Sequence, residues 1–258
     1  MPRPAAQKPQ ADGCGDQEAA ESSSRAQNDF LANMTHEVRT PLNGVLGMLQ
    51  VLQGTGLTSE QQEYVGVALE SAERLLMLLE SVIEYARLGA GAGGSECRSF
   101  LPTDLLNALR AVYEPLARAK GLDFRLAAAP GLPQLVHSDP QALRQILCKL
   151  LDNAVRFTRA GHVFLAVGPH SHIPGRLVFR VEDTGVGIAP EKREQVFEAF
   201  VQADASFTRS FGGVGLGLAI ARRLAARLHG SVETQDRPGG GTVMLLTIPI
   251  DCPMQKTP

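Results

Sequence analysis

The stretch that most constrains the fold is residues 28–52, where apolar side chains recur at helical spacing. The apolar positions are Phe30, Leu31, Met34, Val38, Leu42, Val45, Leu46, Leu49 and Leu52. This spacing predicts an amphipathic helix with a wide apolar stripe.

His36 stands beside Glu37, and Thr40 follows one turn later on the same side. Pro41 cannot donate to the carbonyl of Glu37, so we expect a kink just after the histidine. A titratable histidine beside a carboxylate at a strained point suggests a functional site; an exposed histidine before a helix break is the simpler alternative.

A second amphipathic helix is predicted after the short turn at 53–59, which contains two glycines. Ser59 and Gln62 have the spacing of a capping box at its start. Two long helices joined by a short loop form an antiparallel hairpin. Each helix has more apolar surface than one partner covers, so we expect two copies to pair into a dimeric four-helix bundle. Packing of the hairpin on the rest of its own chain is the alternative.

Composition excludes several classes of protein. The chain has 258 residues, 44% of them hydrophobic, as expected for a globular protein. A net charge of −2 gives no reason to expect nucleic-acid binding. No run of about 18 apolar residues occurs, so no membrane span is predicted in this chain. The four cysteines are scattered without a C-x-x-C pair, which suggests neither a disulfide framework nor a zinc site and favours a reducing compartment.

The predicted fold class is α+β, with a helical hairpin followed by an α/β sandwich that has helices on one face of its sheet. From Phe100 onward, predicted helices and strands alternate and end in a hairpin across a glycine-rich turn. The expected segments are a disordered N-terminus at 1–22, the hairpin at 23–89, a linker at 90–98, the mixed domain at 99–251 and a tail at 252–258.

Three elements of the mixed domain suggest chemistry, and the first is the predicted helix Pro140–Phe157. Lys149, Asn153 and Arg156 lie within two turns on its polar side. An amide oxygen suits a hard cation such as magnesium, and the two cations suit phosphates. A solvated helix face is the alternative.

The second element follows the predicted strand at 177–181. Asp183, if buried there, could accept a hydrogen bond from an exocyclic amine. Gly185 and Gly187 would let a flat ring approach the backbone. An ordinary Asp-Gly turn is equally compatible with these residues.

The third element is the glycine-rich run at 212–217, which leads directly into a predicted helix. Backbone amides at a helix N-terminus bind anions. The run is not a Walker A loop, because no Gly-Lys-Ser/Thr follows it, and no strand leads directly into it as in a Rossmann fingerprint. The polar segment before it, 191–211, contains phenylalanines and is interpreted as a mobile lid, with a plain surface loop as the alternative.

Together these motifs resemble those of a protein histidine kinase of two-component signalling, particularly of the hybrid type. FLANMTHEVRTPLNG resembles the H box of that family, QILCKLLDNAVRFT the N box, VEDTGVGI the first glycine box, VFEAFVQADAS the F box and GGVGLGLAI the second glycine box. The similarity covers about residues 28–250. The second domain resembles the ATP-binding fold shared with gyrase, Hsp90 and MutL.

The resemblance implies a role for each residue of the hairpin motif. His36 would be the phosphoacceptor that attacks the γ-phosphate of ATP. Glu37 would hold the other ring nitrogen and take up proton charge. Thr40 would position a water for dephosphorylation of a partner.

The resemblance also implies ATP and Mg²⁺ as cofactors. Asn153 would bind the magnesium ion, and Asp183 would recognise the adenine amine with Gly185 and Gly187 beside it. Arg156 joins these cofactor-binding residues as a cation on the same helix face. The glycines that would flank the phosphates are Gly213, Gly215 and Gly217.

Lys149 departs from the family pattern, because a second asparagine usually stands at this position. A lysine there could repel magnesium, or it could contact a phosphate directly and take over part of the role.

The first hypothesis is therefore an ATP-dependent autokinase that forms a homodimer and passes phosphate from His36 to an aspartate of a response-regulator receiver domain. A cytoplasmic location is expected, including the cytoplasmic part of a membrane-bound sensor. Lys149 motivates an alternative, a degenerate interaction module that regulates other histidine kinases or receivers. A conformational ATPase of the gyrase or Hsp90 type is a third hypothesis.

Overall fold

The computed structural model describes residues 37–89, 96–201 and 215–251. Its first part is an antiparallel hairpin of two helices, α1, which is helical from 37 to 53, and α2, Ser59–Gly89. Leu46 of α1 is buried against Leu69 and Ala72 of α2. An ion pair between Arg39 and Glu80, 3.1 Å long, joins the helices farther from the turn. The predicted hairpin is therefore present, and α1 continues through Pro41.

The capping box of α2 lies one residue earlier than predicted. The amide of Gln61 donates to Thr58 Oγ1 (3.2 Å), and the amide of Thr58 donates to Gln61 Oε1 (2.9 Å). Thr58 is therefore the N-cap in place of Ser59. The pairs Thr58–Gln61 and Ser59–Gln62 both have the spacing of a capping box, and the chain reverses without the extra turn residue that a cap at Ser59 would need.

The mixed domain contains seven strands and three α-helices within the described residues. In chain order they are β1 Arg98–Phe100, α3 Pro102–Ala119, β2 Asp123–Ala128, β3 Val136–Ser138, α4 Pro140–Phe157, β4 His162–Pro169, β5 Arg176–Asp183, α5 Gly217–Arg227, β6 Ser231–Asp236 and β7 Thr242–Pro249.

Five of these strands form one sheet in the order β2-β4-β5-β7-β6. β2 and β4 are parallel, and the other neighbours are antiparallel. Alternate residues of β5, such as Phe179 and Val181, are buried in the same core as the apolar faces of α3, α4 and α5. Every second residue of a strand and every third or fourth residue of a helix point to the same side, so one face of the sheet can pack against one face of each helix. The predicted α+β class, with helices on one sheet face, is confirmed.

β1 was not predicted from the sequence. It pairs antiparallel with β3, with Ser99 opposite His137, in a separate two-stranded sheet. Three residues are too few to show a period-2 pattern, so this pairing becomes visible only when the chain is folded.

Two further observations concern the membrane and the cysteines. Among the described residues, no helix combines the length and apolar character needed to cross a bilayer. Cys148 is a free thiol, whereas Cys97 is disulfide-bonded. The cysteine spacing did not suggest this bond at Cys97, since scattered spacing along the chain does not report distance in the fold.

Candidate functional site

Helix α4 carries the first group of predicted site residues. Asp139 caps it by accepting hydrogen bonds from the amides of Gln141 (3.0 Å) and Ala142 (2.9 Å), and Pro140 occupies the first turn. The buried face of α4 is apolar. The three predicted ligands on the other side are Lys149, Asn153 and Arg156, all half-buried.

Asp183 lies at the end of β5 and is buried, with 6% of its surface exposed. Burial raises the pKa of its carboxyl group, and hydrogen bonds from the amides of Gly185 and Thr242 partly offset that rise. The Gly185 amide donates to Asp183 Oδ1 at 2.8 Å. This carboxylate is therefore oriented by backbone donors in a low-dielectric position, where one more hydrogen bond would count strongly.

The loop after β5 is packed against the C-terminal end of α4. A Cβ added at Gly185 would lie 2.6 Å from the carbonyl oxygen of Phe157, so only glycine fits this approach. On the other side, a Cβ at Gly187 would lie 3.3 Å from the carbonyl oxygen of Gly241, in the β6–β7 turn. The fold thus places Asp183 and its two glycines beside the helix that carries Asn153.

Sequence reasoning missed Thr184, which anchors this loop. Its Oγ1 accepts a hydrogen bond from the amide of His162 (3.0 Å) and donates to the carbonyl of Ala160 (3.1 Å). The only signal in the sequence was a hydroxyl residue between Asp183 and Gly185, and its partners at the start of β4 are remote along the chain.

The glycine-rich element meets the F box at its base. The amide of Phe200 donates to the carbonyl of Gly215 at 3.1 Å. Gly215 has φ +74°, and a Cβ there would lie 2.6 Å from the carbonyl oxygen of Val201. Residues 201 and 215 are therefore neighbours. Gly213 lies outside the described residues. Of the segment 191–211, which was interpreted as a lid, residues 202–211 also lie outside them.

Helix α5 begins at Gly217, directly after this contact. Leu216 occupies its N-cap, and no side-chain hydrogen bond from the described residues caps the helix. Leucine cannot accept a hydrogen bond, so the amides of the first turn have no partner from the capping side chain. The positive end of the helix dipole, together with these donors, suits an anion.

The hairpin carries the remaining predicted residues. His36 lies outside the described residues, and Glu37 and Thr40 are exposed on α1. The Arg39–Glu80 pair aligns this part of α1 with the C-terminal half of α2. Farther along α2, Val82, Tyr85 and Leu88 pack against the core of the mixed domain. The mixed domain thus adjoins the end of the hairpin that carries Glu37.

Lys149 is paired with the hairpin. Its Nζ lies 3.3 Å from Glu84 Oε2 of α2, and about a quarter of each side chain is exposed, 27% and 26%. The lysine that departs from the family pattern therefore has a counter-ion on another domain, a partner that its position on α4 did not reveal.

Two family models match the chain in the regions just described. Residues 26–91 match the His Kinase A (phospho-acceptor) domain. Residues 138–251 match the histidine kinase-, DNA gyrase B- and HSP90-like ATPase. The phosphoacceptor hairpin and the ATPase fold thus occur together, in the order that the motifs predicted.

The chain is also similar to curated sensor proteins. The chain is 38% identical over 245 residues to the autoinducer 2 sensor kinase/phosphatase LuxQ of Vibrio vulnificus, which covers 93% of this chain and 29% of LuxQ. It is 38% identical over 237 residues to the sensory/regulatory protein RpfC of Xanthomonas campestris pv. campestris, with 90% of this chain and 32% of RpfC covered.

A solved structure agrees with these relatives. Full-length ShkA in complex with AMPPNP is similar with a TM-score of 0.74 and 42% identity, over 86% of this chain and 46% of that one. The chain belongs to the protein histidine kinases of two-component systems. It spans about a third of the length of the curated relatives LuxQ and RpfC.

Proposed function

We propose that this chain is an ATP-dependent histidine autokinase that phosphorylates His36 and passes the phosphate to an aspartate of a receiver domain. A ring nitrogen of His36 would attack the γ-phosphorus as the bond to the β-phosphate oxygen breaks and ADP leaves. Glu37, next to His36 on an exposed part of the hairpin, would hold the other ring nitrogen and stabilise its proton. Thr40, one turn along, would position a water molecule that dephosphorylates the partner.

The observation that supports this proposal most is the buried, amide-oriented carboxylate of Asp183 beside the end of α4. An acceptor in that position suits the amine of adenine, and Gly185 keeps the backbone close to the ring plane. The uncapped start of α5 and the cationic side chain of Arg156 suit the phosphates. Gly213, Gly215 and Gly217 would surround them.

The residues present fit a magnesium ion that is bound mainly by the nucleotide. No cluster of three or more His, Cys, Asp or Glu side chains in the described ranges could hold a metal ion. Magnesium usually takes one or two protein oxygens together with phosphates and water. Asn153 would supply one such oxygen from α4. The ion would neutralise charge that develops on the transferred phosphate.

A homodimer and a receiver-domain partner complete the proposal. The phosphoacceptor hairpin has apolar side chains on its outer surface, which favours pairing of two hairpins. We place the reaction in the cytoplasm, where ATP is supplied. Nothing in the described residues or in the comparisons favours the degenerate alternative, in which the chain would only bind other histidine kinases or receivers.

The direct test is incubation with magnesium and γ-labelled ATP, followed by scoring of acid-labile, base-stable label on the protein. His36→Gln is expected to reduce the label to background, because glutamine has no nucleophilic ring nitrogen. His172→Gln, at an exposed histidine between β4 and β5, is the matched control and should keep the label.

Label that persists in His36→Gln would contradict the assignment of the phosphoacceptor. Steady ATP hydrolysis without any label, unchanged by His36→Gln, would instead favour an ATPase of the gyrase or Hsp90 type. Loss of label in both variants would show that the assay reports folding and not the acceptor.

A further inference from the structure

The C-terminal end of α2 is docked on the ATP-binding domain. Val82, Tyr85 and Leu88 pack against the buried core that contains α4 and α5. Two polar contacts flank this apolar contact, one to each helix. We call the segment 82–89, with these contacts, the docked end of α2.

The contact with α5 is made by Arg223. Its Nη1 donates a hydrogen bond to the carbonyl of Tyr85 at 2.8 Å. Its guanidinium carbon lies 3.6 Å from the centre of the Tyr85 ring, within the range of a cation–π interaction. Neither Arg223 nor Tyr85 is a predicted nucleotide ligand.

The contact with α4 differs, because it uses Lys149. Lys149 lies one turn before Asn153 on the same helix face, which places their Cβ atoms about 6 Å apart. Glu84 therefore presents a carboxylate close to the residue that would bind the metal–phosphate group. A carboxylate and a phosphate are competing anions for one lysine, whose ammonium group is a compact charge on a rotatable stem.

We propose that Lys149 exchanges Glu84 for a nucleotide phosphate, so that binding of Mg-ATP loosens the docked end of α2. The inference rests on the proposed function, since it needs a nucleotide beside Asn153. The loosened ATP-binding domain becomes free to move along the hairpin toward the phosphoacceptor. Lys149 is then a positioning residue that couples nucleotide binding to domain movement, and the coupling is reciprocal: the docked state weakens nucleotide binding by the same factor.

The test measures two quantities on the full chain with magnesium and the analogue AMPPNP. Hydrogen–deuterium exchange of the amides at 82–89 reports docking, and calorimetric titration reports affinity. In the unmodified chain, the analogue should raise exchange at 82–89 several-fold. In Glu84→Gln, exchange should be fast without the analogue, and the analogue should bind about three to ten times more tightly, because its competitor for Lys149 is removed.

Two further variants separate the roles. Lys149→Met should also give fast exchange without the analogue, with no further rise on its addition, and should bind the analogue more weakly than Glu84→Gln does. Glu80→Gln is the matched control, since it removes a carboxylate one turn earlier on α2 that pairs with Arg39 of α1. Its affinity for the analogue should equal that of the unmodified chain.

Failure of this inference is distinguishable from failure of the proposed function. If the analogue binds, but exchange at 82–89 does not change and Glu84→Gln has unchanged affinity, Lys149 is not shared and the inference is wrong while the nucleotide site stands. If the analogue binds to neither the unmodified chain nor Glu84→Gln, the proposed function itself fails and the inference falls with it.

Discussion

At the scale of single residues, the proposed recognition of the nucleotide depends on the orientation of one carboxylate. Asp183 is buried, and its carboxylate accepts hydrogen bonds from the backbone amides of Gly185 and Thr242. Burial raises the pKa of this carboxyl group in the folded chain. At pH values above both the folded-state and the unfolded-state pKa, the group is ionised in both states, and it then lowers the stability of the fold. The site therefore maintains an acceptor at some expense in stability.

Asp183→Asn is predicted to weaken nucleotide binding without unfolding the chain. The side-chain oxygen of the asparagine would accept a hydrogen bond from the Gly185 amide. The side-chain NH₂ group of the asparagine would then face the adenine amine, which is also a hydrogen-bond donor. A buried donor facing a donor costs about 1–3 kcal/mol, so AMPPNP should bind at least about tenfold more weakly. Loss of the buried charge offsets the weaker hydrogen bonds, so thermal unfolding at pH 7 should change little.

The control for this prediction is Asp123→Asn, at an exposed carboxylate of β2 that pairs with Arg125. It should leave the affinity for AMPPNP unchanged in the same calorimetric titration. Full affinity in Asp183→Asn would mean that this carboxylate does not contact the base.

At the scale of elements, one close backbone contact joins the end of the F box to the residues just before α5. Gly215 adopts a positive φ and lies against Val201, and its carbonyl accepts from the Phe200 amide. The exposed Phe200 also has a positive φ, +65°, which is uncommon for a bulky residue. The start of α5 is thereby held against the end of the F box.

Gly215→Ala is predicted to destabilise the ATP-binding domain by about 1–3 kcal/mol. A Cβ at φ +74° is strained, and it would also press on the Val201 carbonyl. Chemical denaturation monitored by circular dichroism measures the loss. Gly56→Ala is the control, because Gly56 has no atom within 4 Å of a built Cβ and no positive φ. Equal stability of the two variants would show that the Val201 contact yields easily.

At the scale of the whole molecule, the hairpin has an unpartnered apolar surface. Among the described residues, the buried cluster between α1 and α2 is small and consists of Leu46, Leu69 and Ala72. The large apolar side chains that remain exposed on the two helices are Val38, Val45, Met48, Val51, Leu52, Tyr64, Val67, Leu75 and Met77. Such a surface favours association with a second hairpin, as in a four-helix bundle.

The double variant Val67→Lys, Leu75→Lys is predicted to be monomeric, whereas the unmodified chain is predicted to be a dimer. Two buried ammonium groups in each hairpin would have no counter-ions in an apolar interface. Sedimentation velocity at micromolar concentration distinguishes the two masses. Glu73→Lys, at an exposed polar position of α2, should remain dimeric. A dimer that survives the double variant would place the interface elsewhere.

The sequence by itself determined most of the helices and strands and the site motifs. Pro140–Phe157 was predicted with the bounds that the structure has, because Pro140 marks its start and its apolar period is strong. The order of the hairpin and the ATP-binding fold also followed from local patterns and family motifs. Local periodicity is sufficient here because one face of each element must be buried.

Tertiary structure decided what depends on distance between remote residues. β1 exists only through its pairing with β3, and Thr58 replaced Ser59 as the cap although both fit the local pattern. Lys149 looked like a nucleotide ligand on its own helix, yet its counter-ion Glu84 lies on another domain. Electrostatic and steric partners are set by proximity in space, which spacing along the chain does not encode.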